Sequence, residues 1–309
     1  MHRKGMSNCL NPRKIIRKCI LTFLWTFSLL ILIKALLLDV YYVPSRSMEN
    51  TISSNSFLVI SKIQYGPKLP RTASEIPYFS KFLNKKYDFP LWKDYRIPGI
   101  SKIKRNDVVL AENKGIKIIK RITGIPGDTL LLRNGLLSIN SVDEKIENTF
   151  LFDFIVNLSK EEIAKRRLKF KYINYLGHNT YRITVDGESL KKLNDKKMIA
   201  VSNNQNPIYP SHLNEQWDNI NYGPIIVPFK GMKIKLDMSN YCLYQQLFNE
   251  YEGVLYNFLD EEDRGNEGEY YTFKNDYYFL MGDNRMNSLD SRHYGFIPKS
   301  LIFGKAISF

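Results

Sequence analysis

A lysine surrounded by isoleucines is the first feature of this chain with the chemistry of a catalytic base. Residues 116–122 alternate as a strand would, which places Lys120 on one face with three isoleucines and Lys117 and Arg121 on the other. We expect the face of Lys117 and Arg121 to be the solvent side. An ammonium group packed among isoleucines loses hydration, which lowers its pKa, and a neutral amine is what a general base requires. The alternative is an edge strand on which Lys120 extends to water.

Two closely spaced serines, Ser45 and Ser47, offer such a base a hydroxyl nucleophile. Pro44, just before them, has a fixed φ and no N–H, so the segment is extended or turning rather than helical. Ser47 follows the end of a long apolar stretch at Leu38 by nine residues, which is at most roughly 30 Å of extended chain. The alternative is an ordinary polar turn, in which Ser-x-Ser tripeptides are also common.

A polar segment at 282–296 follows the predicted strand Tyr277–Met281. Most of its residues are Gly, polar or charged, and this density of donors and acceptors is typical of a rigid turn beside a site. A well-capped structural loop is the alternative.

Other catalytic and metal-binding patterns are absent from the sequence. No pair of its four histidines has metal-ligand spacing, and there is no HExxH, CxxC, Walker or G-x-S-x-G motif. We therefore expect no metal and no cofactor, and lysine is the remaining candidate for the base of a hydrolase. Three cysteines, two of them at the extreme N-terminus, cannot form a disulfide framework.

The distribution of charge indicates a membrane rather than a nucleic acid. The 309 residues carry 45 Lys and Arg against 31 Asp and Glu, a formal charge of +14, and residues 1–34 contain seven basic residues and no acid. Residues 19–38 are apolar apart from Lys34, and as a helix they would cover roughly 30 Å, the thickness of a bilayer core. A cleavable signal is the alternative, but no small-x-small site follows.

These features predict one membrane crossing and a mainly β body. The basic flank predicts a cytoplasmic N-terminus, so that everything after Val40 is exoplasmic. Short β-branched runs between turn signals favour a β-rich fold beyond the anchor. The predicted parts are a basic cytoplasmic arm at 1–18, an uncleaved signal anchor at 19–40, a catalytic core at 41–140 and 276–309 with a surface insertion at 66–105, and an inserted α+β cap at 141–275.

Individual elements can be predicted where the local pattern is strong. Asn134-Gly135 predicts a tight hairpin turn, Ser159 opens a capped helix, and the apolar pattern of Tyr244–Tyr251 predicts a helix that Gly253 ends. The predicted strands are Phe57–Ile63, Asp107–Ala111, Ile116–Ile122, Thr129–Arg133, Leu136–Asn140, Tyr181–Val185, Tyr277–Met281 and Ile302–Ser308.

Taken together, the segments resemble those of type I signal peptidase, the membrane-bound Ser/Lys endopeptidase family that removes signal peptides. The similarity rests on Pro44–Met48, on Lys120–Asp128 and on Gly282–Phe296. Arg105–Val109 also resembles the short strand motif that the family places between the first two. The segments follow the family's order behind the expected anchor, and the resemblance implies a signal-peptidase-like β-rich core.

The resemblance implies a role for several residues. Ser47 would be the nucleophile, and a neutral Lys120 would take its proton and later return it to the leaving amine. The Ser47 N–H and the Ser45 hydroxyl would form the oxyanion hole, while Ser288 would hold the Lys120 amine in orientation. The other implied residues are Met48 as a wall of the substrate groove and Asp283, Asp290, Arg292 and Arg121 as ion-pairing supports, with Asp283 next to Arg121.

The resemblance also implies partners and a location. The family cleaves exported preproteins after small-x-small sites, so we expect signal peptides and the lipid bilayer as partners, and no nucleic acid. Contact with the export machinery is a further expectation. The protein would be a single-pass protein of the inner (cytoplasmic) membrane, with its catalytic domain on the exoplasmic or periplasmic face.

The chain departs from the family pattern at three positions. Asn50 replaces the proline usually found two residues after the Ser-Met pair, which would loosen the nucleophile segment without removing a catalytic atom. Arg46 stands where glycine is common, and Lys34 is atypical within an anchor. Asn50 favours a second hypothesis, a catalytically silent relative that binds signal peptides, although the presence of both Ser47 and Lys120 argues against it. A self-cleaving repressor is a third hypothesis, but an apolar anchor occupies the place of its DNA-binding domain.

Overall fold

The structure is a computed structural model, and it describes residues 12–70, 72–78, 91, 95–165, 167–193, 198–201, 207–210, 217–254 and 270–308. Most of the predicted basic arm, residues 1–11, lies outside the described residues. The chain divides into two compact units. The first comprises Met1–Asp39 and Ser61–Ser101, and the second comprises Val40–Ile60 and Lys102–Phe309.

A long apolar helix dominates the first unit. Helix α1, Pro12–Leu32, continues into a π-helical stretch, Ile33–Leu37. Among the described residues, Arg13–Leu37 is the one helical segment whose length and composition would allow it to cross a membrane. This segment confirms the predicted apolar helix. The helix ends three residues before the predicted boundary at Val40, because the chain from Leu38 onward is paired as a strand.

The lysine within the apolar stretch has a counter-ion near the end of the helix. Lys34 Nζ lies 3.8 Å from one carboxylate oxygen of Asp39, and Lys62 Nζ lies 2.9 Å from the other. Lys62 also donates to the Lys34 carbonyl at 2.7 Å, and the Lys34 ammonium lies 4.9 Å from the ring centre of Tyr78. Lys34 is thus part of a small polar cluster where the helix ends, rather than a lone charge.

The second unit is rich in strands, which confirms the predicted β-rich fold. In chain order the strands are β1 Leu38–Val43, β2 Ser56–Ser61, β3 Val108–Asn113, β4 Ile116–Gly124, β5 Thr129–Arg133, β6 Leu136–Ile139, β7 Val142–Asp143, β8 Leu151–Asn157, β9 Phe170–Gly177, β10 Thr180–Asp186, β11 Ile199–Ala200, β12 Tyr222–Ile226, β13 Lys233–Lys235, β14 Tyr270–Thr272, β15 Tyr277–Met281, β16 Ile297–Pro298 and β17 Ile302–Ser308. The shorter helices are α2 Lys160–Lys165, α3 Gly187–Leu193, α4 Met238–Leu247 and α5 Ser291–Tyr294.

The largest sheet brings distant parts of the chain together. Its order is β1-β2-β17-β3-β4-β15-β16, so strands from both ends of the chain are neighbours. Strand β4 lies between β3 and β15 and is antiparallel to both, with Lys120 opposite Val109 and Ile122 opposite Leu280. The turn after β15 therefore begins opposite Arg121, next to Lys120.

Smaller sheets complete the second unit, and each has buried apolar residues. One has the order β12-β5-β6-β7, another the order β11-β8-β10-β9, and β13 pairs with β14. Phe152 and Phe154 of β8 lie in one core cluster, and Tyr244 and Phe248 lie in another, which is rich in aromatic rings. Strand β12, from the region assigned to the cap, pairs with β5 from the region assigned to the core.

Local patterns predicted their elements well. Strands β5 and β6 form the expected hairpin around Asn134-Gly135, and both residues have the positive φ that such turns require. Ser159 and Glu162 exchange the two bonds of a capping box, at 2.8 and 3.1 Å. Helix α4 and its π-helical extension end at Gly253, whose φ is 68°.

Candidate active site

A tight turn after β1 holds Ser47. The Glu49 N–H donates to the Arg46 carbonyl at 3.0 Å, and the Ile52 N–H donates to the Met48 carbonyl at 2.8 Å. The Met48 side chain is fully buried in the apolar cluster beside β1 and β2. Met48 anchors the turn in the core next to Ser47. Ser47 itself is buried, with 7% of the residue exposed.

Lys120 meets this hydroxyl from the middle of β4. Its side chain is buried, at 5% exposure, and Nζ lies 2.5 Å from Ser47 Oγ. The two residues are 73 positions apart in the sequence. The turn after β15, which begins opposite Arg121, holds the nucleophile turn beside β4, because the Asn284 N–H donates to the Ser47 carbonyl at 3.0 Å. The arrangement gives a hydroxyl with an amine in position to accept its proton.

The surroundings of Lys120 favour its neutral form. Burial lowers the pKa of its amine from 10.5 to about 8. The carboxylate of Asp290 acts in the opposite direction, the guanidinium of Arg292 lowers the pKa further, and Asp283 raises it. Loss of hydration is the largest of these effects, so the amine deprotonates far more readily than an exposed lysine does.

Arg121, the next residue on β4, is buried, so the expectation of a solvent-facing side is wrong at Arg121, although Lys117 on the same face is exposed. Arg121 Nε and Nη2 donate to the two carboxylate oxygens of Asp283 at 2.7 and 2.6 Å. The guanidinium also lies 5.3 Å from the ring centre of Phe150. Burial would lower the pKa of Arg121, but the hydrogen bonds and charge of Asp283 raise it. Asp283, 162 positions away in sequence, is the counter-ion that offsets the cost of burying this charge.

The second ion pair joins Asp290 and Arg292 within the turn after β15. Arg292 Nε and Nη2 each lie 2.8 Å from a carboxylate oxygen of Asp290, and the guanidinium also donates to the carbonyls of Asn219 and Arg285. Asp290 in turn accepts from the Gly282 N–H at 3.1 Å. Burial would raise the pKa of Asp290, but the charge and hydrogen bonds of Arg292 hold it below its usual range.

The remaining predicted residues lie around the same hydroxyl. Ser45 Oγ is 3.2 Å from Ser47 Oγ, on the exposed side. Ser288 is buried and lines the same cavity as Ser47 and Lys120. This cavity, which we call the apolar groove, has a volume of about 550 Å³. Its apolar walls include Val43, Leu110, Ile116, Ile118, Ile119 and Leu289.

The described residues contain no group of three or more His, Cys, Asp or Glu side chains that could hold a metal ion. The carboxylates of Asp283 and Asp290 near Ser47 are instead paired with Arg121 and Arg292.

Comparison with known proteins identifies the family. The model of the family "Signal peptidase, peptidase S26" matches residues 16–309, nearly the whole chain. The chain belongs to the signal peptidase family. Relatives named signal peptidase I include one from Buchnera aphidicola subsp. Baizongia pistaciae, 24% identical over 94% of this chain and 76% of the relative. Another, from Rickettsia massiliae, is 26% identical over 92% of this chain and 76% of the relative.

Family membership supports a peptidase with signal peptidase function, which implies signal peptides as substrates and association with a membrane. The apolar helix of the first unit fits a membrane-anchored protein. The Buchnera aphidicola subsp. Schizaphis graminum signal peptidase I, 25% identical over 91% of this chain and 70% of its own length, agrees with this assignment.

Asn50, the residue at which the chain departs from the usual signal peptidase pattern, has a left-handed backbone with a φ of 77°. Proline is restricted to a φ near −65°, whereas asparagine tolerates the left-handed region. The turn of this signal peptidase therefore suits Asn50 and excludes proline. The turn is closed further by Thr51, whose hydroxyl donates to Asp283 at 2.5 Å.

Three other residues support the site without having been singled out in the sequence. The Asn284 side chain donates to the Arg46 carbonyl at 3.1 Å, and its N–H donates to the Ser47 carbonyl at 3.0 Å. Ser291 Oγ accepts from the Leu280 N–H at 2.9 Å, and Thr51 holds Asp283. Asn284 and Ser291 lie in the polar segment 282–296, and the density of polar residues there is the sequence feature that could have identified them as part of the site.

Gly282 gives a test of how closely the turn after β15 approaches the nucleophile. A Cβ at this position would overlap Ser288 Oγ and lie 2.5 Å from the Ser47 carbonyl oxygen. We predict that Gly282→Ala lowers kcat/KM by about a hundredfold, because Ser47 has to shift. The measurement is cleavage of a synthetic signal peptide by the full chain in detergent. Lys233→Ala, at an exposed position of β13, is the control, and equal activities of the two variants would contradict the prediction.

Proposed function

We propose that this signal peptidase cleaves preproteins after small-x-small sites with Ser47 as the nucleophile and neutral Lys120 as the general base. The observation that carries the proposal is the 2.5 Å separation of Lys120 Nζ and Ser47 Oγ within a buried site. A catalytically silent binder would need neither the contact nor the lowered pKa of the amine.

The reaction would proceed in two stages. Ser47 Oγ attacks the scissile carbonyl as Lys120 Nζ takes its proton, and the resulting ammonium gives that proton to the leaving amine as the C–N bond breaks. Water then attacks the acyl-enzyme with Lys120 again as base, which releases the signal peptide and returns the proton to Ser47 Oγ.

The oxyanion of each tetrahedral intermediate would be stabilised by the Ser47 N–H and the Ser45 hydroxyl. The 3.2 Å separation of the two serine oxygens supports this role, because Ser45 Oγ then lies beside the point of attack. Ser288 would orient the Lys120 amine, and its burial in the same cavity supports that position. Met48 is fully buried and does not line the apolar groove, so it would support the nucleophile turn from the core instead of contacting substrate.

The ion pairs would hold the reacting groups in place. Asp283 and Arg121 connect the turn after β15 to β4 beside the base, and Asp290 and Arg292 fix that turn internally. The apolar walls of the groove suit the small apolar side chains of a signal peptide's cleavage site.

We further propose that the protein is a single-pass protein of the inner membrane, with a cytoplasmic N-terminus and an exoplasmic or periplasmic catalytic domain. The basic residues before the apolar helix support this orientation. The assignment of 41–140 and 276–309 to the catalytic core and of 141–275 to a cap remains part of this proposal, as does contact with the export machinery.

Substitution of the two central residues tests the mechanism. We predict that Ser47→Ala, Lys120→Ala and Lys120→Arg each lower kcat/KM at least about a thousandfold, since the guanidinium of Arg cannot serve as a base. The assay is mass spectrometry of the products from a synthetic signal peptide with an Ala-x-Ala site. Lys114→Ala, at a side chain 66% exposed on the β3–β4 turn, should retain activity. Full activity of Lys120→Ala would remove the proposed base, and full activity of Lys120→Arg would show that charge matters instead.

The pH dependence of cleavage gives an independent test. Only the neutral amine acts as base, and its pKa is lowered from 10.5 to about 8, so its active fraction grows as the pH rises toward 8. We predict that kcat/KM rises about tenfold per pH unit below this value and levels off above it. The measurement uses a peptide without titrating groups near the cleavage site. A rate that is constant or falls across this range would contradict a neutral lysine base.

A further inference from the structure

A second cavity near Ser47 is lined by Arg46, its neighbour in sequence, and by Asn284, whose N–H donates to the Ser47 carbonyl. It has a volume of about 130 Å³, and we call it the polar pocket. Arg46 and Asn287 line both cavities, so the two are neighbours beside the nucleophile turn. The other lining residues that matter here are Glu49, Asp153, Lys171 and Tyr172.

The polar pocket differs from the groove in its chemistry. Glu49 and Lys171, from the nucleophile turn and from β9, form an ion pair at 3.1 Å across it. Asp153 on β8 accepts from the Thr184 hydroxyl at 2.7 Å and pairs with Arg182 at 3.5 Å. Charged side chains of both signs thus replace the isoleucines and leucines of the groove.

Arg46 supplies the remaining charge at the junction of the two cavities. Its carbonyl is held by the Glu49 N–H and the Asn284 side chain, while the residue is exposed. Among the described residues, no carboxylate forms an ion pair with its guanidinium, whereas each acid that lines the pocket has a basic partner. The Arg46 guanidinium is therefore a cation without a counter-ion among the described residues, and its backbone is held by hydrogen bonds next to the nucleophile.

A peptide bound for cleavage has to leave the site on both sides of Ser47. The apolar groove suits the signal peptide on the amino side of the scissile bond. The polar pocket is then the path for the residues on the carboxyl side, which become the start of the mature protein. Arg46 is adjacent to the nucleophile in sequence, so it lies within reach of the first few of these residues.

We propose that Arg46 is a specificity-determining residue that selects an acidic side chain among the first three residues after the scissile bond. This inference rests on the proposed function, because it assigns a direction to the substrate across Ser47. The polar pocket, formed in part by Lys171 and Tyr172 of β9, would receive that segment. An exposed ion pair of this kind is modest in strength, so the preference would be a several-fold effect.

The test compares matched peptides that share one Ala-x-Ala site and differ in one residue after it. Glu, Gln or Lys is placed at the first, second or third position, and kcat/KM is measured with the full chain in neutral detergent. At the best position, the wild type should cleave the Glu peptide about fivefold better than the Lys peptide. Arg46→Ala should abolish this ratio, and Arg46→Glu should invert it in favour of Lys.

Arg133→Glu is the control for net charge, since Arg133 is an exposed residue of β5 that lines neither cavity. The ratio of kcat/KM for the Glu and Lys peptides should be the same in this variant as in the wild type. Equal cleavage of Glu and Lys peptides by the wild type would overturn the role of Arg46 and leave the proposed function intact. Absence of cleavage of every peptide would overturn both. An effect of Arg46→Ala that is equal for all peptides and requires added anionic lipid would assign Arg46 to the membrane instead, and the proposal would be wrong.

Discussion

The burial of one amine beside one hydroxyl is the constraint on which the rest of this structure depends. An ammonium group in the interior loses its hydration, so burial of Lys120 lowers the pKa of its amine and makes the neutral form accessible. If burial were the only requirement at this position, an apolar residue would satisfy it. The contact with Ser47 Oγ at 2.5 Å brings the neutral amine within reach of the hydroxyl proton, which the proposed general base has to accept.

The arrangement of the charged side chains around Lys120 is explained by this constraint. A free cation next to Lys120 would lower its pKa further, and a free carboxylate would return it toward the charged form. Arg121 with Asp283 and Arg292 with Asp290 bring opposite charges close together, which limits both effects while holding the turn after β15 against β4. The turn after β1 is tied to the same pairs through Thr51. Three segments distant in sequence are therefore fixed by the groups that also tune the base.

Prediction from the sequence succeeded where the signal was local and failed where a distant partner decided the outcome. The Asn134-Gly135 hairpin, the Ser159 capping box and strand β15 depend on residues within a few positions, and they were predicted with bounds close to those observed. Burial of Arg121 depends on Asp283, far along the chain, and alternation along β4 carries no information about it. The first three residues of β1, Leu38–Val40, were assigned to the anchor, because a short apolar run suits a helix or a strand equally and only its pairing in the sheet distinguishes them. The candidate site residues were named through family resemblance, and the geometry that relates them comes from the sheet.

The protonation state of Lys120 in the resting protein is the most direct test of this account. Lysine Cε atoms labelled with 13C report the charge of each amine by NMR, and Lys120→Arg identifies the signal of interest by its loss. Titration of the full chain in detergent from about pH 6 to about pH 11 then gives the pKa of that one amine. A midpoint near 8 agrees with a buried, easily deprotonated lysine. A midpoint near the 10.5 of an ordinary lysine would contradict the account, since the amine would then be charged where the enzyme has to work.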